Sequence, residues 1–481
     1  MIINRGELTR LHSDRSSRLV LAALEVAVES VRPSALVRRA VKFDKKLSVR
    51  DVHGRIISLR KFERVYVVGG GKATAGMACA VCSILHGRVA GGAITIPYGN
   101  KTKIKGISVT HASHPVPDLS GMEGTKKILK VLRKARQDDL VFVLISGGGS
   151  ALMPLPAPGV SLADKQRITN LLLRSGASIQ GINAVRKHLS AVKGGQLLRH
   201  IDSSCPVVSL VLSDVVGDDL GVIASGPTCP DSSTFADALK ILKKYNIKSP
   251  DAALEHIARG AKGEIEETLK PHDPIFSRVH NLLIGSNSIA CANAASYLKK
   301  RGVQAAHIGS EFDGEARDFG AFLARLASDL GNRPFAVVAG GETTVRLNRS
   351  KNGIGGRNQE AALACMMDLR RHDVALACIG TDGIDGNSDA AGALVSPKTV
   401  ALAKKLDLKK YLDNHDSYHA FKKLCSLIFT GYTGTNVNDI AIICGHPTNN
   451  VLIEREARRL TAKLRRKARN YLAKSSGSSL R

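Results

Sequence analysis

The chain has 481 residues, with 70 Lys and Arg against 42 Asp and Glu and a formal net charge of +28, so its length implies two or three domains. At 43% hydrophobic and 23% charged residues it is neither disordered nor fibrous, and no apolar run approaches the roughly 20 residues that cross a bilayer. The basic N-terminus leads into no apolar segment, so a secretory leader is not expected, and nine scattered cysteines read as reduced thiols.

An amphipathic helix over Ser17–Val31 comes first and is expected to pack on the first strand or on a partner. From Arg64 onward, short β-branched runs alternate with stretches of helical period. The expected strands are Arg64–Val68, Gly92–Ile96, Ile107–Thr110, Leu140–Ile145 and Val207–Leu212, then Asn281–Ile284, Val303–Ile308, Phe335–Ala339, Ala375–Ile379 and Asp439–Cys444. Between them lie helices such as Ser286–Lys300 and Glu360–Arg371. Cys79 and Cys82 form a C-x-x-C without a second pair, so they read as two positions on one helix. A polar stretch with two prolines, Gly263–Ser277, marks a boundary. This alternation predicts an α/β protein of two domains, with parallel sheets covered by helices and a cleft between the domains.

The positive charge is concentrated at the C-terminus, where Glu454–Arg481 carries ten Lys/Arg and two acids and ends in a Ser-rich tail expected to fray. Aromatic residues are only 4% and Trp is absent, so stacking platforms for single strands are poorly supplied. A solvated basic surface that steers an anionic substrate is the expectation, with no specific nucleic acid and no membrane as partners.

Glycine is concentrated where the expected strands end. The three turns are Gly69-Gly70-Gly71-Lys72, Ser146-Gly147-Gly148-Gly149-Ser150 and Gly340-Gly341-Glu342-Thr343. Ligands of parallel α/β sheets bind at the carboxyl ends of strands, where glycine admits the ligand and the next helix offers unpaired N–H groups to an anion. The phosphate-loop pattern fails, because Tyr66 stands where its first glycine belongs and Ala73 follows Lys72. The dinucleotide pattern fails at Thr74, and the nucleophile elbow fails because Ala151 and Leu152 follow Ser150. A phosphate- or carboxylate-binding enzyme of less familiar type remains.

Lys72 is placed to reach a phosphoryl oxygen as a point charge. Arg357 and Asn358 open a helix after Gly355 and Gly356, where a guanidinium can clamp a phosphate or carboxylate. Two acidic loops follow strands, one with Asp214, Asp218 and Asp219 and the other with Asp382, Asp385 and Asp389. Acids at strand ends suit Mg²⁺ on a nucleotide, and equally suit Asx turns and helix caps. His111 and His114 read as loop histidines.

Taken together, VVGGGKATAGMA, HPVPD, ISGGGSAL, INAVRKHLSAVKGGQL, LVLSDVVGDDLGVIASGPT, GGETTV, GGRNQE, GTDGIDG and TGTNVNDI resemble the glycerate kinases that carry the MOFRL domain. They run in order from about Val67 to Ile440. The resemblance implies ATP-dependent phosphorylation of D-glycerate with Mg²⁺, leaning to carbon 2 over carbon 3. It implies a Rossmann-like N-terminal domain over 17–270, a smaller C-terminal α/β domain over 278–452, and a site in the cleft between them. Residues 453–481, beyond the matching words, are expected to be a basic tail, helical and then frayed. The family's catalytic lysine corresponds to Lys72 and its arginine to Arg357.

On this basis Gly70, Gly71, Ser146, Gly147, Gly148, Gly149, Ser150 and Asn287 are the candidates for ATP. Lys193, Arg186, Glu342 and Thr343 are those for glycerate, and Asp214, Asp382 and Asp385 those for the metal. Asp214 and Asp382 are the candidate bases for the hydroxyl proton. Hydroxypyruvate reduction and non-enzymatic nucleic-acid binding are the rival readings, the first opposed by the failed dinucleotide pattern. Cytoplasm is the default location, with mitochondria open because the N-terminus is basic, although Glu7 and Asp14 interrupt it. A homodimer is left open.

Overall fold

Each of the ten β-branched runs forms a strand in the computed structural model, which describes residues 1–59, 61–329, 335–347, 353–370, 373–445 and 454–478. The chain divides into two units, Pro33–Gly285 and a second composed of Met1–Arg32 with Ser286–Arg481.

In the unit Pro33–Gly285, β1 (Val41–Phe43), β2 (Leu47–Arg50) and β3 (Ile56–Leu59) form an antiparallel meander that the sequence pattern did not reveal. The main sheet follows with β4 (Val65–Gly70), β5 (Val89–Pro97), β6 (Ile107–Ala112), β7 (Leu140–Ser146), β8 (Val207–Leu212) and β9 (Val279–Gly285). Its order is β6-β5-β4-β7-β8-β9, and every pair is parallel. Residues of β4, β7 and β8 are buried at every position, as expected of central strands covered on both faces. The chain moves outward from β4 to β6 and then returns to the other side of β4 as β7. That reversal falls at the carboxyl ends of β4 and β7, the place where such sheets bind ligands.

The second unit is built on β10 (Gln304–Phe312), β11 (Phe335–Gly341), β12 (Val374–Gly380), β13 (Gly392–Val395), β14 (Leu427–Ile428) and β15 (Asp439–Gly445). The order is β10-β11-β15-β12-β13-β14. Only β10 and β11 pair in parallel, and β15 runs antiparallel between β11 and β12. The expectation of a parallel sheet is therefore corrected to a mixed one here. Hydrophobic runs signal buried strands but carry no direction, and β13 and β14 are too short to show a period.

Two segments lie elsewhere than the sequence suggested. The first long helix, Arg15–Ser30, is capped by Asp14, whose Oδ1 accepts from Ser17 N–H at 2.8 Å. It buries Val20, Leu21, Leu24 and Val28 and packs on the helix Asn287–Lys300 and on β12 and β15, not on the first strand. The proline-rich stretch near Gly263–Ser277 is no boundary: Leu269 is buried in the core of Pro33–Gly285, and its carbonyl accepts from Asp231 N–H at 2.8 Å. The chain leaves that unit only after β9.

The basic C-terminal stretch is a helix over Glu454–Ser478. It buries Leu460, Leu464 and Ala468 in the second unit's core, and Tyr471 stacks on Phe322 at 4.6 Å. Lys463 reaches Asp329 at 3.1 Å, and Lys467 pairs with the same carboxylate. Of the Ser-rich tail 474–481, expected to fray, residues 474–478 continue this helix and 479–481 lie outside the described residues. Among the described residues, no helix is long and apolar enough to cross a membrane.

Candidate active site

At the carboxyl ends of β4 and β7 the glycines are required by close approach. A Cβ on Gly71, whose φ is +149°, would lie 2.1 Å from Ser146 Oγ. One on Gly70 would meet the Met153 side chain at 2.7 Å, and one on Gly149 would meet Ala224 and the Gly70 carbonyl at 2.8 Å. The two turns are stitched together by Lys72 N–H donating to the Gly147 carbonyl at 2.8 Å and Ala73 N–H to Ser146 Oγ at 3.0 Å. Ser146 thus supports the entry to the helix Thr74–Leu85, and Lys72 stands between the last glycine and that helix.

Asp214, after β8, lies against the same turn. A Cβ on Gly147 would fall 1.9 Å from Asp214 Oδ2. The imidazole of His114 lies over Gly148, where a Cβ would approach it at 2.8 Å. His111, expected in a loop, instead lies in β6, and its Nε2 is 2.6 Å from the Asn100 carbonyl. Gly70, Gly71, Ser146, Gly147, Gly148, Gly149, Lys72 and Asp214, separate in sequence, are therefore brought to one end of the sheet.

Ser150 begins a second cluster. Lys193 Nζ donates to Ser150 Oγ at 2.8 Å and to its carbonyl at 2.9 Å, and Arg186 donates to the same Oγ. Ser225 Oγ lies 3.0 Å from Ser150 Oγ. Ala224 and Ser225 have φ of +52° and +61°, a region non-glycine residues rarely occupy and which concentrates at functional sites. Burial holds the pKa of Lys193 well below its ordinary value, and repulsion from Lys165 and Arg186 adds to this.

In the second unit Arg357 opens the helix Arg357–Asp368 and is clamped by two carboxylates. Its Nη1 donates to Glu342 at 2.9 Å, Nη2 to Asp439 Oδ1 at 3.2 Å, and Nε lies 2.6 Å from Asp439 Oδ2. Burial opposes the guanidinium charge, yet Asp439 and Glu342 hold its pKa above the ordinary value. Burial pushes Asp439 up to about 7, and its neighbour Asp385 does so too, against the pull of Arg357 and Asn358. Thr343, next to Glu342, is buried.

Three expected ligand residues are otherwise engaged or only loosely placed. Asp385, 1% exposed, accepts from the backbone and side-chain N–H groups of both Asn358 and Gln359 at 2.8–3.1 Å. It caps the helix of Arg357, and four donors turned toward it are not a setting for a cation. Both N–H bonds of the Asn287 amide go to the carbonyls of Val437 and Asp439, at 2.7 and 2.8 Å, which fixes the chain entering β15. Asp382 Oδ1 accepts from Ile384 N–H at 3.3 Å within its own loop. Among the described residues, no group of three or more His, Cys, Asp or Glu is assembled for a metal. Mg²⁺ bound through nucleotide phosphates needs only one or two carboxylates, and Asp214 beside the glycine turn fits that demand.

Sequence reasoning passed over three residues: Lys165, Ser225 and Asp439. Lys165 carried a signal, since it occupies the buried stripe Leu162–Lys165–Ile168–Leu172 of a helix that should be apolar on that face.

Two family models match the chain, a domain of unknown function (DUF4147) over residues 19–258 and the MOFRL family over residues 335–439. A glycerate 2-kinase of Pyrococcus horikoshii is 43% identical over 86% of this chain and 94% of its own length. A D-glycerate 2-kinase of Thermotoga maritima is 40% identical over 88% and 97%. The crystal structure of a glycerate kinase from Thermotoga maritima superposes with a TM-score of 0.78 at 38% identity, covering 89% of this chain and 99% of that one. The chain belongs to the MOFRL family of glycerate kinases, enzymes that transfer a phosphoryl group to glycerate.

Proposed function

We propose that the enzyme moves the γ-phosphoryl group of ATP to the C2 hydroxyl of D-glycerate. The observation that carries this reading is the convergence of Gly70–Lys72, Ser146–Gly149 and Asp214 at the point where the parallel sheet reverses its order. The names of the Pyrococcus and Thermotoga relatives support carbon 2 as the acceptor.

The C2 oxygen forms a bond to phosphorus as the bond between phosphorus and the bridging oxygen of ADP breaks. Such transfer depends on positioning and charge neutralisation more than on covalent chemistry. The backbone N–H groups of the turn Gly147–Ser150 hold phosphate oxygens, and Lys72 neutralises charge on the transferred group. Asp214 takes the proton of the C2 hydroxyl. Arg186 and Lys193 hold an anionic group of the reactants, and Arg357 is the candidate anion-binding residue of the other unit. Mg²⁺, when bound, would neutralise phosphate charge and would be held through Asp214, with Asp382 as the other candidate.

Incubation with ATP, Mg²⁺ and D-glycerate, read by phosphorus NMR, tests this reading. A phosphomonoester signal with the coupling of a secondary carbon is expected, together with ADP. The coupling of a primary carbon would move the acceptor to carbon 3, and no phosphomonoester from folded protein would refute the nucleotide assignment.

A further inference from the structure

Three basic side chains gather without a counter-charge, and two of them hold the half-buried hydroxyl of Ser150. Lys193 is 1% exposed and Lys165 is 6% exposed. Arg186 and Lys193 donate to Ser150, whereas Lys165 Nζ has no hydrogen-bond partner although it is buried. No ion pair among the described residues involves any of the three. The acids of neighbouring elements are committed elsewhere. Asp164 caps its own helix through Ser161, Asp231 pairs with Lys187 at 3.2 Å, and Glu267 lies 3.0 Å from both His188 and Lys270.

A buried ammonium with no partner works against folding, and so do three cations gathered together. Burial holds Lys165 well below its ordinary pKa, and Arg186 depresses it further. A lysine in an otherwise apolar helix stripe that pairs with nothing within its own unit has the character of a ligand group awaiting its ligand. The strained backbone of Ala224 and Ser225 lies at the same place.

We propose that Lys165, Arg186 and Lys193 form a buried seat for an oxyanion carried by one of the reactants, and that Lys165 is a binding residue of this enzyme. The inference rests on the kinase reading above and names the chemistry of one part of that site. Its two sources of oxyanion are the carboxylate of glycerate and a phosphate of the nucleotide. The carboxylate is the better match, because nucleotide phosphates arrive with a divalent cation and a carboxylate arrives without one. Arg186 adds a planar fork suited to two carboxylate oxygens, and Lys193 holds Ser150 in place to donate as well.

The test is Lys165→Met, assayed by initial rates with each reactant varied in turn and by melting with and without D-glycerate or ADP. The expected result is a KM for one reactant raised about ten- to a hundred-fold, with kcat changed much less. The unliganded melting temperature should be equal or higher, because a buried polar group without a partner is gone. A raised KM for glycerate with loss of its thermal shift identifies the carboxylate, and the same pattern for ATP and ADP identifies the phosphate. Lys165→Arg, which keeps the charge, should restore most of the affinity. Lys165→Gln gives the same readouts if the methionine variant does not fold.

Unchanged KM values and unchanged thermal shifts would overturn the proposal, as would a lower melting temperature as the sole effect. Wild-type protein that binds glycerate or ADP without phosphorylating glycerate would instead overturn the kinase reading. The thermal shifts would then still report on the seat.

Discussion

Gly147→Ala isolates the relation between the phosphate turn and Asp214. The added Cβ would lie 1.9 Å from Asp214 Oδ2, and ordinary contact begins near 3.4 Å, so the carboxylate must retreat by about 1.5 Å. The next two nearest atoms are Asp214 Cγ and Cβ, at 2.5 and 3.1 Å, so a rotamer change with a shift of a few tenths of an ångström accommodates the methyl group. The stability cost should then be about 1–3 kcal/mol, a shift of a few degrees in melting temperature. The catalytic cost should be larger. A displacement of an ångström in a reacting group costs about a hundred-fold in rate, so kcat should fall by at least that factor while KM for D-glycerate changes little. A coupled assay for ADP release, run beside thermal melts, measures both quantities. A kcat within threefold of wild type in folded protein would refute the placement of Asp214 at the reaction.

The remaining substitutions probe charge and backbone. Lys72→Ala should lower kcat about a thousand-fold with an unchanged melting temperature, because a cation on the transferred group acts mainly in the transition state; near-normal turnover in the ADP assay would refute its role. Gly71→Ala should act differently from Gly147→Ala, since its Cβ would meet both Ser146 Oγ and the Ser146 backbone at a φ of +149°, and urea melts should show a loss of about 2–5 kcal/mol. Lys187→Met would leave Asp231 buried without its ion pair, and urea melts should show a loss of about 3–5 kcal/mol. Asp231 is held below the ordinary carboxylate range, since Lys187, the Ser233 hydroxyl and His188 together outweigh the opposing effect of burial. Its contribution is thus full above about pH 4 and lost as pH falls through the folded pKa, so Asp231→Asn should flatten the acid limb of a stability–pH curve.

The β-branched runs made the strands of both units legible because burial on two faces demands them. The meander β1–β3 escaped because its strands span only three or four residues, too few to show a period. The direction of β15 was not encoded in any run: it is set by the path of residues 381–438, with β13, β14 and three short helices, which brings Asp439–Gly445 back between β11 and β12. Of the glycine turns, those after β4 and β7 come together, because each glycine there admits a close neighbour that a Cβ would meet. Polar residue types were a poorer guide. Asn287 and Asp385 have the chemistry of ligands, yet one satisfies the carbonyls of Val437 and Asp439 and the other caps a helix. Nothing local in a sequence separates an amide or carboxylate turned toward the backbone from one turned toward a substrate.

That contrast gives a sharper criterion for buried polar groups in this enzyme. Asp385 collects four donors, and Asp139 accepts two hydrogen bonds from Arg64 and one from the Arg136 N–H, so each is balanced by its own unit and needs no ligand to explain it. Arg357 is likewise balanced, by Glu342 and Asp439, so an anion that reaches it competes with carboxylates and binds there only by displacing or protonating one of them. Asp439, pushed up to about 7, is the one poised to take that proton near neutrality. The Lys165–Arg186–Lys193 cluster has no such internal balance. An oxyanion entering it displaces nothing and neutralises a charge that folding leaves exposed to its neighbours. The two cationic sites should therefore differ in their response to pH. Binding at Arg357 follows the state of Asp439, and binding at the lysine cluster weakens as pH rises, because each lysine must carry its proton to hold the anion.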